Sequence, residues 1–257
     1  MTRIAFGIEY DGTDFLGWQS QLQQPTLQDT VGSALSYVAA APLTLVCAGR
    51  TDTGVHARCQ VVHCDTDVDR STRAWVLGAN SRLPSSVCVR WAQPVDDDFH
   101  ARYSAQARSY RYRIVNRPVR LALDARIATW ERLELDVVAM HAACAVLVGC
   151  HDFSSFRTSA CQAKSPVRQI TMLDWERAGE EVTLHIAGNG FLHHMVRNIV
   201  GSALRVGRGD APVEWIAAVL AVRDRRSAGP TAPPTGLQFQ GPLYPARFGL
   251  PAEVTQA

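Results

Sequence analysis

A segment flanked by glycines, residues 49–57, carries three side chains of catalytic type. Arg50, Asp52 and His56 lie there, directly after an apolar stretch. An arginine close to an aspartate favours the ionised carboxylate, and two unit charges ~4 Å apart attract by about 4 kcal/mol at an effective dielectric constant of about 20. An ionised, positioned carboxylate is suited to act as a covalent nucleophile. A solvated turn with a surface ion pair is equally compatible with this composition.

Two other motifs share residues with this segment, and each lacks a required partner. Residues 52–54 read Asp-Thr-Gly, as in aspartic proteases, but that chemistry needs two carboxylates that share a proton. The sequence contains no second Asp-Thr-Gly or Asp-Ser-Gly triplet. Gly49 and Gly54 have nearly the spacing of a phosphate-binding loop, but Val-His stands at residues 55–56 where Lys-Ser/Thr is required. We therefore set both interpretations aside.

The composition predicts a folded cytoplasmic protein. Hydrophobic residues make up 47% of the 257 residues, enough for a substantial core. The net charge is only +2, so any nucleic-acid footprint must be a local patch. The start of the chain has no long apolar run, and no stretch approaches the length of a membrane span. The seven cysteines include no CxxC pair and are interpreted as reduced thiols, with neither disulfides nor a zinc site.

Apolar periodicity supplies the elements that must position the segment. Alternation predicts strands at 3–10, 43–48, 59–65, 87–91, 107–116, 168–175, 182–187 and 237–240. Helical spacing predicts helices after Thr26, which can act as an N-cap, and over 71–80, 135–148, 192–204 and 212–223. The fold class is predicted to be α+β, with two similar halves and helices packed on a mostly antiparallel sheet. We place the halves at 1–104, which carries the Asp52 loop, and 105–257, which completes the active-site cleft.

Several other short sequence blocks lie along the chain before and after the Asp52 segment. These blocks are Tyr10 to Gln19, Phe99 to Ala105 followed by Tyr110 to Tyr112, His151 to Phe156, Met195 to Gly201, and Gly236-Leu237. Together with residues 48–57 they resemble the signature motifs of the tRNA pseudouridine synthase A family. The blocks span almost the whole chain. Two departures are visible, since Ser109 stands where a basic residue is expected and residues 21–24 are rich in glutamine.

The resemblance implies a pseudouridine synthase fold and a role for each matching residue. Asp52 would be the nucleophile, Tyr110 would contact the flipped-out uracil, and Arg197 would pair with Asp52. Leu237 would line the pocket, and Arg50 would bind substrate. The family isomerises uridine to pseudouridine in the anticodon stem-loop of tRNA, at positions 38, 39 and 40. It uses no metal and no organic cofactor, and its members are homodimers.

Local sequence features leave other interpretations open for these residues. Arg197 lies off the apolar stripe of its helix, and Gly201 one turn later is predicted to leave space over the guanidinium. Tyr110 and Tyr112 share one face of a strand, where packing in the core is the more common role. The alternative functions are a non-catalytic RNA-binding protein on the same fold and a pseudouridine synthase that acts on another RNA.

A cluster of arginines near the C-terminus also has two interpretations. These residues, Arg223, Arg225 and Arg226, could hold phosphates or form a solvated charge cluster. Leu237, judged by its surroundings in the sequence alone, is an ordinary core residue. Histidines 56, 63, 193 and 194 lack metal-ligand partners at suitable spacing and are interpreted as structural or as RNA contacts.

Overall fold

The computed structural model describes residues 1–256. The strands are β1 (Thr2–Tyr10), β2 (Val46–Cys47), β3 (His56–Thr66), β4 (Val87–Val95), β5 (Ala107–Asn116), β6 (Thr129–Glu131), β7 (Gly149–Asp152), β8 (Val167–Ala178), β9 (Glu181–Gly188), β10 (Leu237–Pro245) and β11 (Thr255–Gln256). The α-helices are α1 (Leu27–Ala39), α2 (Thr72–Asn80), α3 (Val137–Cys144), α4 (Met195–Gly207) and α5 (Trp215–Val222). Short 3-10 helices lie at Ala145–Leu147, Ser154–Phe156, Arg225–Ser227, Pro234–Gly236, Ala246–Phe248 and Ala252–Val254.

The chain divides into two compact units. The N-terminal unit comprises residues 1–108 and the C-terminal segment from Gln238 onward, and the second unit comprises Ser109–Leu237. The C-terminal segment joins the N-terminal unit because β10 pairs in parallel with β3, with Gln238 opposite His56. The predicted halves, 1–104 and 105–257, stay a prediction.

In the N-terminal unit the strand order is β4-β1-β3-β10, and β2 pairs with β3. β1 is antiparallel to both neighbours. One sheet face packs on α1 and α2, where Trp75 meets Phe6 edge to face at 5.6 Å. The opposite face buries a second cluster that includes Val61 and Phe99. The predicted N-cap of α1 is confirmed, since the Thr26 side chain accepts a hydrogen bond from the backbone N–H of Asp29.

The second strand is shorter than the sequence predicts. We expected a strand over 43–48, but only Val46–Cys47 pairs with β3. The backbone N–H of Leu43 donates instead to Ser36 Oγ at 3.0 Å, so this part of the chain is bound to α1. Apolar alternation cannot show which partner a backbone group finds.

In the second unit the strand order is β5-β9-β8-β7, and β6 pairs in parallel with β5. β8 is antiparallel to β7 and β9. The predicted apolar stripe of α4 is confirmed, because Ile199, Val200 and Ala203 are each fully buried. The prediction of an α+β fold with a mostly antiparallel sheet is also confirmed.

The helix predicted over 135–148 differs from the observed α3. The α-helix ends at Cys144, four residues earlier than predicted, and its Val138 is 81% exposed. Asp136 caps it by accepting from the backbone N–H of Ala139 at 2.8 Å, which sets the start later than predicted. Within residues 1–256, no helix is both long and apolar enough to cross a membrane.

Candidate active site

Asp52 lies in the connection between β2 and β3, as the sequence predicts. Its side chain is half-buried, whereas the preceding Thr51 is buried. The backbone N–H of Val55 donates to the carbonyl of Asp52 at 3.1 Å and closes a turn. Gly54 has φ 74°, a left-handed conformation that glycine adopts readily. The loop is therefore a defined turn that presents the carboxylate at its start.

The last residue of β1 and the segment that follows it, together residues 10–18, hold this turn in place. The hydroxyl groups of Tyr10 and Thr51 are 2.8 Å apart and hydrogen-bonded. The backbone N–H of Trp18 donates to the carbonyl of Thr51 at 3.0 Å, and that of Gly54 donates to the carbonyl of Phe15 at 3.3 Å. The motif at residues 10–18 thus packs directly against the motif at residues 49–57 that contains Asp52.

Two glycines of this segment permit the close approach. A Cβ atom on Gly12 would lie 2.0 Å from the carbonyl oxygen of Val55. A Cβ atom on Gly17, which has φ +85°, would lie 2.8 Å from the carbonyl oxygen of Thr51. Both obstructing atoms belong to the backbone, so a side chain cannot be accommodated by a simple rotamer change.

We expect Gly12→Ala to destabilise the protein by about 1–3 kcal/mol or more, because the new methyl group must displace the backbone at Val55. The matched control is Gly49→Ala, at which a Cβ atom would meet nothing within 4 Å. Thermal unfolding of the two variants checks this expectation. Equal melting temperatures would show that the approach at Gly12 is not tight.

His56, the first residue of β3, is buried beside the same segment. Its Nδ1 lies 3.2 Å from the backbone nitrogen of Gly12 and 3.1 Å from Asp11 Oδ1. Without a proton Nδ1 accepts from Gly12, and with one it donates to Asp11. In either state His56 anchors the segment after β1, which agrees with the structural role expected from the sequence.

Arg50 lies on the same loop, two residues before Asp52, and its side chain is exposed. Its charge acts on Cys47: burial raises the pKa of that thiol to about 11, and the charges of Arg50 and Arg102 oppose the rise. The expected stabilisation of the ionised Asp52 carboxylate by Arg50 stays a prediction.

The two tyrosines of β5 have different environments. Tyr110 is half-buried, and its ring meets Phe191 edge to face at 5.2 Å. Tyr112 is fully buried, and burial raises the pKa of its phenol. The Tyr112 hydroxyl donates to the carbonyl of Pro233 at 2.8 Å and lies 2.7 Å from Thr129 Oγ1. Tyr112 is thus a core residue, whereas Tyr110 is partly accessible.

The Gly236-Leu237 motif packs against this strand. A Cβ atom on Gly236 would lie 2.6 Å from the carbonyl oxygen of Arg113 and 2.7 Å from a ring carbon of Tyr112. Only glycine allows this contact, and it fixes the start of β10. Leu237 is buried, with 5% of its surface exposed.

Arg197 lies in the first turns of α4 and is held by the loop formed by residues 228–234. Its Nε donates to the carbonyl of Ala232 at 2.8 Å, and the backbone N–H of Ala232 donates to the carbonyl of Arg197 at 3.1 Å. The space predicted over Gly201 does not exist, because a Cβ atom there would lie 1.7 Å from the carbonyl oxygen of Pro230. Gly201 therefore serves the approach of this loop and not that of a substrate.

A buried polar network supports the same loop. Asn198 is fully buried; its Nδ2 donates to the carbonyl of Phe156 at 2.7 Å, and its Oδ1 accepts from Thr231 Oγ1 at 2.7 Å. A terminal nitrogen of Arg225 donates to both Asn198 Oδ1 and Thr231 Oγ1, each at 3.1 Å. Sequence reasoning did not assign Asn198 a role; a polar residue within the apolar stripe of α4 is the signal that could have found it.

The three arginines of the C-terminal cluster, Arg223, Arg225 and Arg226, have different contacts. Arg225 is a structural residue of the loop, and Arg226 pairs with Asp224 at 2.6 Å. The exposed Arg223 has its Nε 3.7 Å from Asp152 Oδ2. The guanidinium of Arg225 is directed to Asn198 and Thr231. A phosphate contact by these arginines stays a prediction.

We expect Asn198→Ala to lower the free energy of unfolding by about 2–4 kcal/mol. The substitution leaves the carbonyl of Phe156 and the hydroxyl of Thr231 without this partner, and each such loss costs about 1–3 kcal/mol. Asn189→Ala is the control, because Asn189 is exposed and the backbone N–H of Gln169 that its Oδ1 accepts from can bond to water in the variant. Urea unfolding measures both; equal losses would contradict the role given to Asn198.

Comparison with known proteins places the chain in a family. The tRNA pseudouridine synthase family profile matches residues 7–104 and 143–245. The chain belongs to this family and has its fold. It is 59% identical to tRNA pseudouridine synthase A of Stenotrophomonas maltophilia (strain K279a), over 98% of this chain and 99% of that protein. It is 56% identical to tRNA pseudouridine synthase A of Xanthomonas euvesicatoria pv. vesicatoria (strain 85-10), over 99% of this chain and 100% of that protein.

The residues predicted to form the site are distributed over both units. Asp52 and Arg50 share one loop of the N-terminal unit, whereas Tyr110, Arg197 and Leu237 belong to the second. Within the second unit, the charge of Arg197 reaches the phenol of Tyr112 and opposes the rise in its pKa. Their individual roles stay predictions.

Proposed function

We propose that this protein converts uridine to pseudouridine in tRNA, with Asp52 as the nucleophile. The observation that carries the proposal is the 59% identity, over nearly the full length of both chains, with a protein named tRNA pseudouridine synthase A. The defined turn around Asp52 supports it, because a nucleophile must be positioned before the reaction begins.

The reaction is an isomerisation in which atoms and electrons balance. The bond between ribose C1′ and uracil N1 breaks, the base turns, and a bond forms between C1′ and C5. The hydrogen on C5 leaves as a proton, and N1 gains one. No oxidant, reductant or co-reactant is needed, so we propose neither a cofactor nor a metal. A carboxylate attack on the ribose and one on the base both satisfy this balance.

Four further residues are proposed to bind the substrate. Tyr110 is partly accessible and offers an aromatic edge or face to the extruded uracil, whereas the buried Tyr112 does not. Arg197 is oriented by Ala232 and is proposed to pair with the nucleophile. Leu237 is proposed as an apolar pocket wall. Arg50, exposed on the Asp52 loop, is proposed to contact the RNA.

The resemblance to synthase A motifs extends the proposal to target and assembly. We propose positions 38, 39 and 40 of the anticodon stem-loop as targets and the cytoplasm as the location. A homodimer is proposed as the active form. Exposed apolar side chains on the second unit, including Val119, Leu123 and Trp130, offer surface for such an interface.

Tritium release tests the catalytic proposal. A tRNA transcript that carries tritium at C5 of its uridines loses the label to water when C5 becomes the glycosidic carbon. The purified protein is expected to release one tritium per modified uridine. Tight tRNA binding without release would favour the non-catalytic RNA-binding alternative. Release only from other RNAs would favour a synthase with a different substrate.

A further inference from the structure

An aromatic side chain outside the Asp52 loop is presented to solvent on a tight turn. Tyr103 is 76% exposed, although the neighbouring Phe99 and Ala101 are fully buried. These residues lie in the turn formed by residues 100–104, between β4 and β5. A large aromatic ring held in water while its neighbours anchor the backbone is typical of a contact surface.

The 100–104 turn is fixed by its own hydrogen bonds. The backbone N–H of Ser104 donates to the carbonyl of His100, and the backbone N–H of His100 donates to Ser104 Oγ, both at 2.9 Å. His100 Nδ1 accepts from the backbone N–H groups of Arg102 and Tyr103 at 3.1 and 3.2 Å. The Tyr103 ring rests on the His100 ring, with centroids 4.3 Å apart. Little conformational entropy is therefore lost when a ligand meets this ring.

The same turn is connected to the Asp52 loop. Arg108 donates from one terminal nitrogen to the carbonyl of Ala48 at 3.2 Å and to the carbonyl of Arg102. Ala48 directly precedes the glycine at which the loop begins. The guanidinium thus ties the 100–104 turn to the base of the catalytic loop.

Two exposed arginines lie next to this connection, Arg50 on the Asp52 loop and Arg102 in the 100–104 turn. The charges of both oppose the rise in the pKa of the Cys47 thiol. The Arg102 guanidinium carbon also lies 5.6 Å from the centroid of the Tyr103 ring. Of the three exposed aspartates at 96–98, Asp98 forms an ion pair with Arg247 at 2.9 Å. An exposed ring beside a cation suits a nucleotide, which offers a base for stacking and a phosphate for pairing.

We propose that Arg102 and Tyr103 form a second RNA-contacting site, where the Tyr103 ring stacks on an unpaired base and Arg102 holds an adjacent phosphate. The proposal rests on the proposed function, because it takes tRNA as the ligand. It extends the RNA contacts beyond the residues that surround the target uridine. Stacking on a fixed ring adds affinity without a requirement for one particular base.

The affinity of the full-length protein for tRNA, measured by fluorescence anisotropy, tests this site. Tyr103→Ala and Tyr103→Leu are expected to weaken binding about 5- to 150-fold, whereas Tyr103→Phe retains it. Arg102→Ala is expected to lower the slope of log affinity against log salt by about 0.7–0.9, the value for one phosphate contact. The exposure of Tyr103 makes loss of folding unexpected, and thermal unfolding verifies this.

The chain contains a matched control of the same chemistry. Tyr37 is 60% exposed on α1, and the Arg82 guanidinium carbon lies 4.4 Å from the centroid of its ring. Tyr37→Ala should leave tRNA affinity unchanged. Wild-type affinity in the Tyr103 variants, or an equal loss in Tyr37→Ala, would overturn the proposed site.

The two proposals fail in different ways. If the wild-type protein forms pseudouridine and the Tyr103 variants bind tRNA normally, only the second site is wrong. If the wild-type protein binds tRNA without forming pseudouridine, the catalytic proposal is wrong, and a loss of affinity in the Tyr103 variants still supports the site. Absence of tRNA binding by the wild-type protein would overturn both.

Discussion

Asp52→Asn is expected to abolish pseudouridine formation while tRNA binding and folding persist. The amide has nearly the same shape as the carboxylate but is a far weaker nucleophile, so the loss should reach ~10⁴-fold or more. Asp52 is half-buried and is the first residue of a turn that a backbone hydrogen bond from Val55 closes. The substitution does not change that backbone hydrogen bond. Single-turnover assays with excess enzyme measure the chemical step separately from binding.

Asp69→Asn is the control for this experiment. Asp69 is exposed on the same unit, and its substitution removes the same charge from the protein. If both variants change tRNA affinity equally, the change is due to the lost negative charge and not to the loss of the nucleophile. Appreciable pseudouridine formation by purified Asp52→Asn would refute the assignment of Asp52.

Tyr110→Ala is expected to slow single-turnover chemistry more than any substitution of Tyr112 that leaves the protein folded. Extrusion of a uridine from its stack costs a few kcal/mol, and an aromatic side chain returns about 1–3 kcal/mol per base. Without Tyr110 the uracil is poorly held, and the rate should fall about 5- to 150-fold at saturating enzyme. The partial accessibility of Tyr110 permits such a contact, and the full burial of Tyr112 does not.

Substitutions of Tyr112 should act on stability. Tyr112→Ala is expected to cost about 3–5 kcal/mol, because a fully buried ring leaves a cavity. Tyr112→Phe keeps the ring and removes only the hydroxyl bonded to Thr129 and Pro233, so it is the folded comparison. Equal single-turnover rates for Tyr110→Ala and Tyr112→Phe, or a slower Tyr112→Phe, would show that Tyr110 does not hold the base.

The elements that depend on local chemistry are predictable from the sequence. The N-cap at Thr26 requires only a side chain three residues from its N–H donor, and the apolar stripe of α4 requires only helical spacing. Elements set by distant partners are not predictable in this way. The strands β6 and β7 were missed because each is short and takes its definition from pairing with β5 and β8.

In the site, too, local features were predictable from the sequence and contacts between distant segments were not. The glycine-flanked turn at Asp52 was evident from residues 49–57, but its support by residues 10–18 depends on backbone contacts between distant segments. The prediction of free space over Gly201 was wrong because it, too, depended on a distant segment of the chain. The small residue admits the backbone at Pro230, and sequence alone does not tell which neighbour a glycine admits.

Mapping of pseudouridine in cellular tRNA tests the central claim most directly. The gene is deleted from its host and restored either as wild type or as Asp52→Asn, and pseudouridine is mapped at each tRNA position. We predict that the signal at positions 38, 39 and 40 disappears on deletion, returns with the wild-type gene, and does not return with the Asp52→Asn gene. An unchanged signal after deletion, or its restoration by Asp52→Asn, would contradict the account.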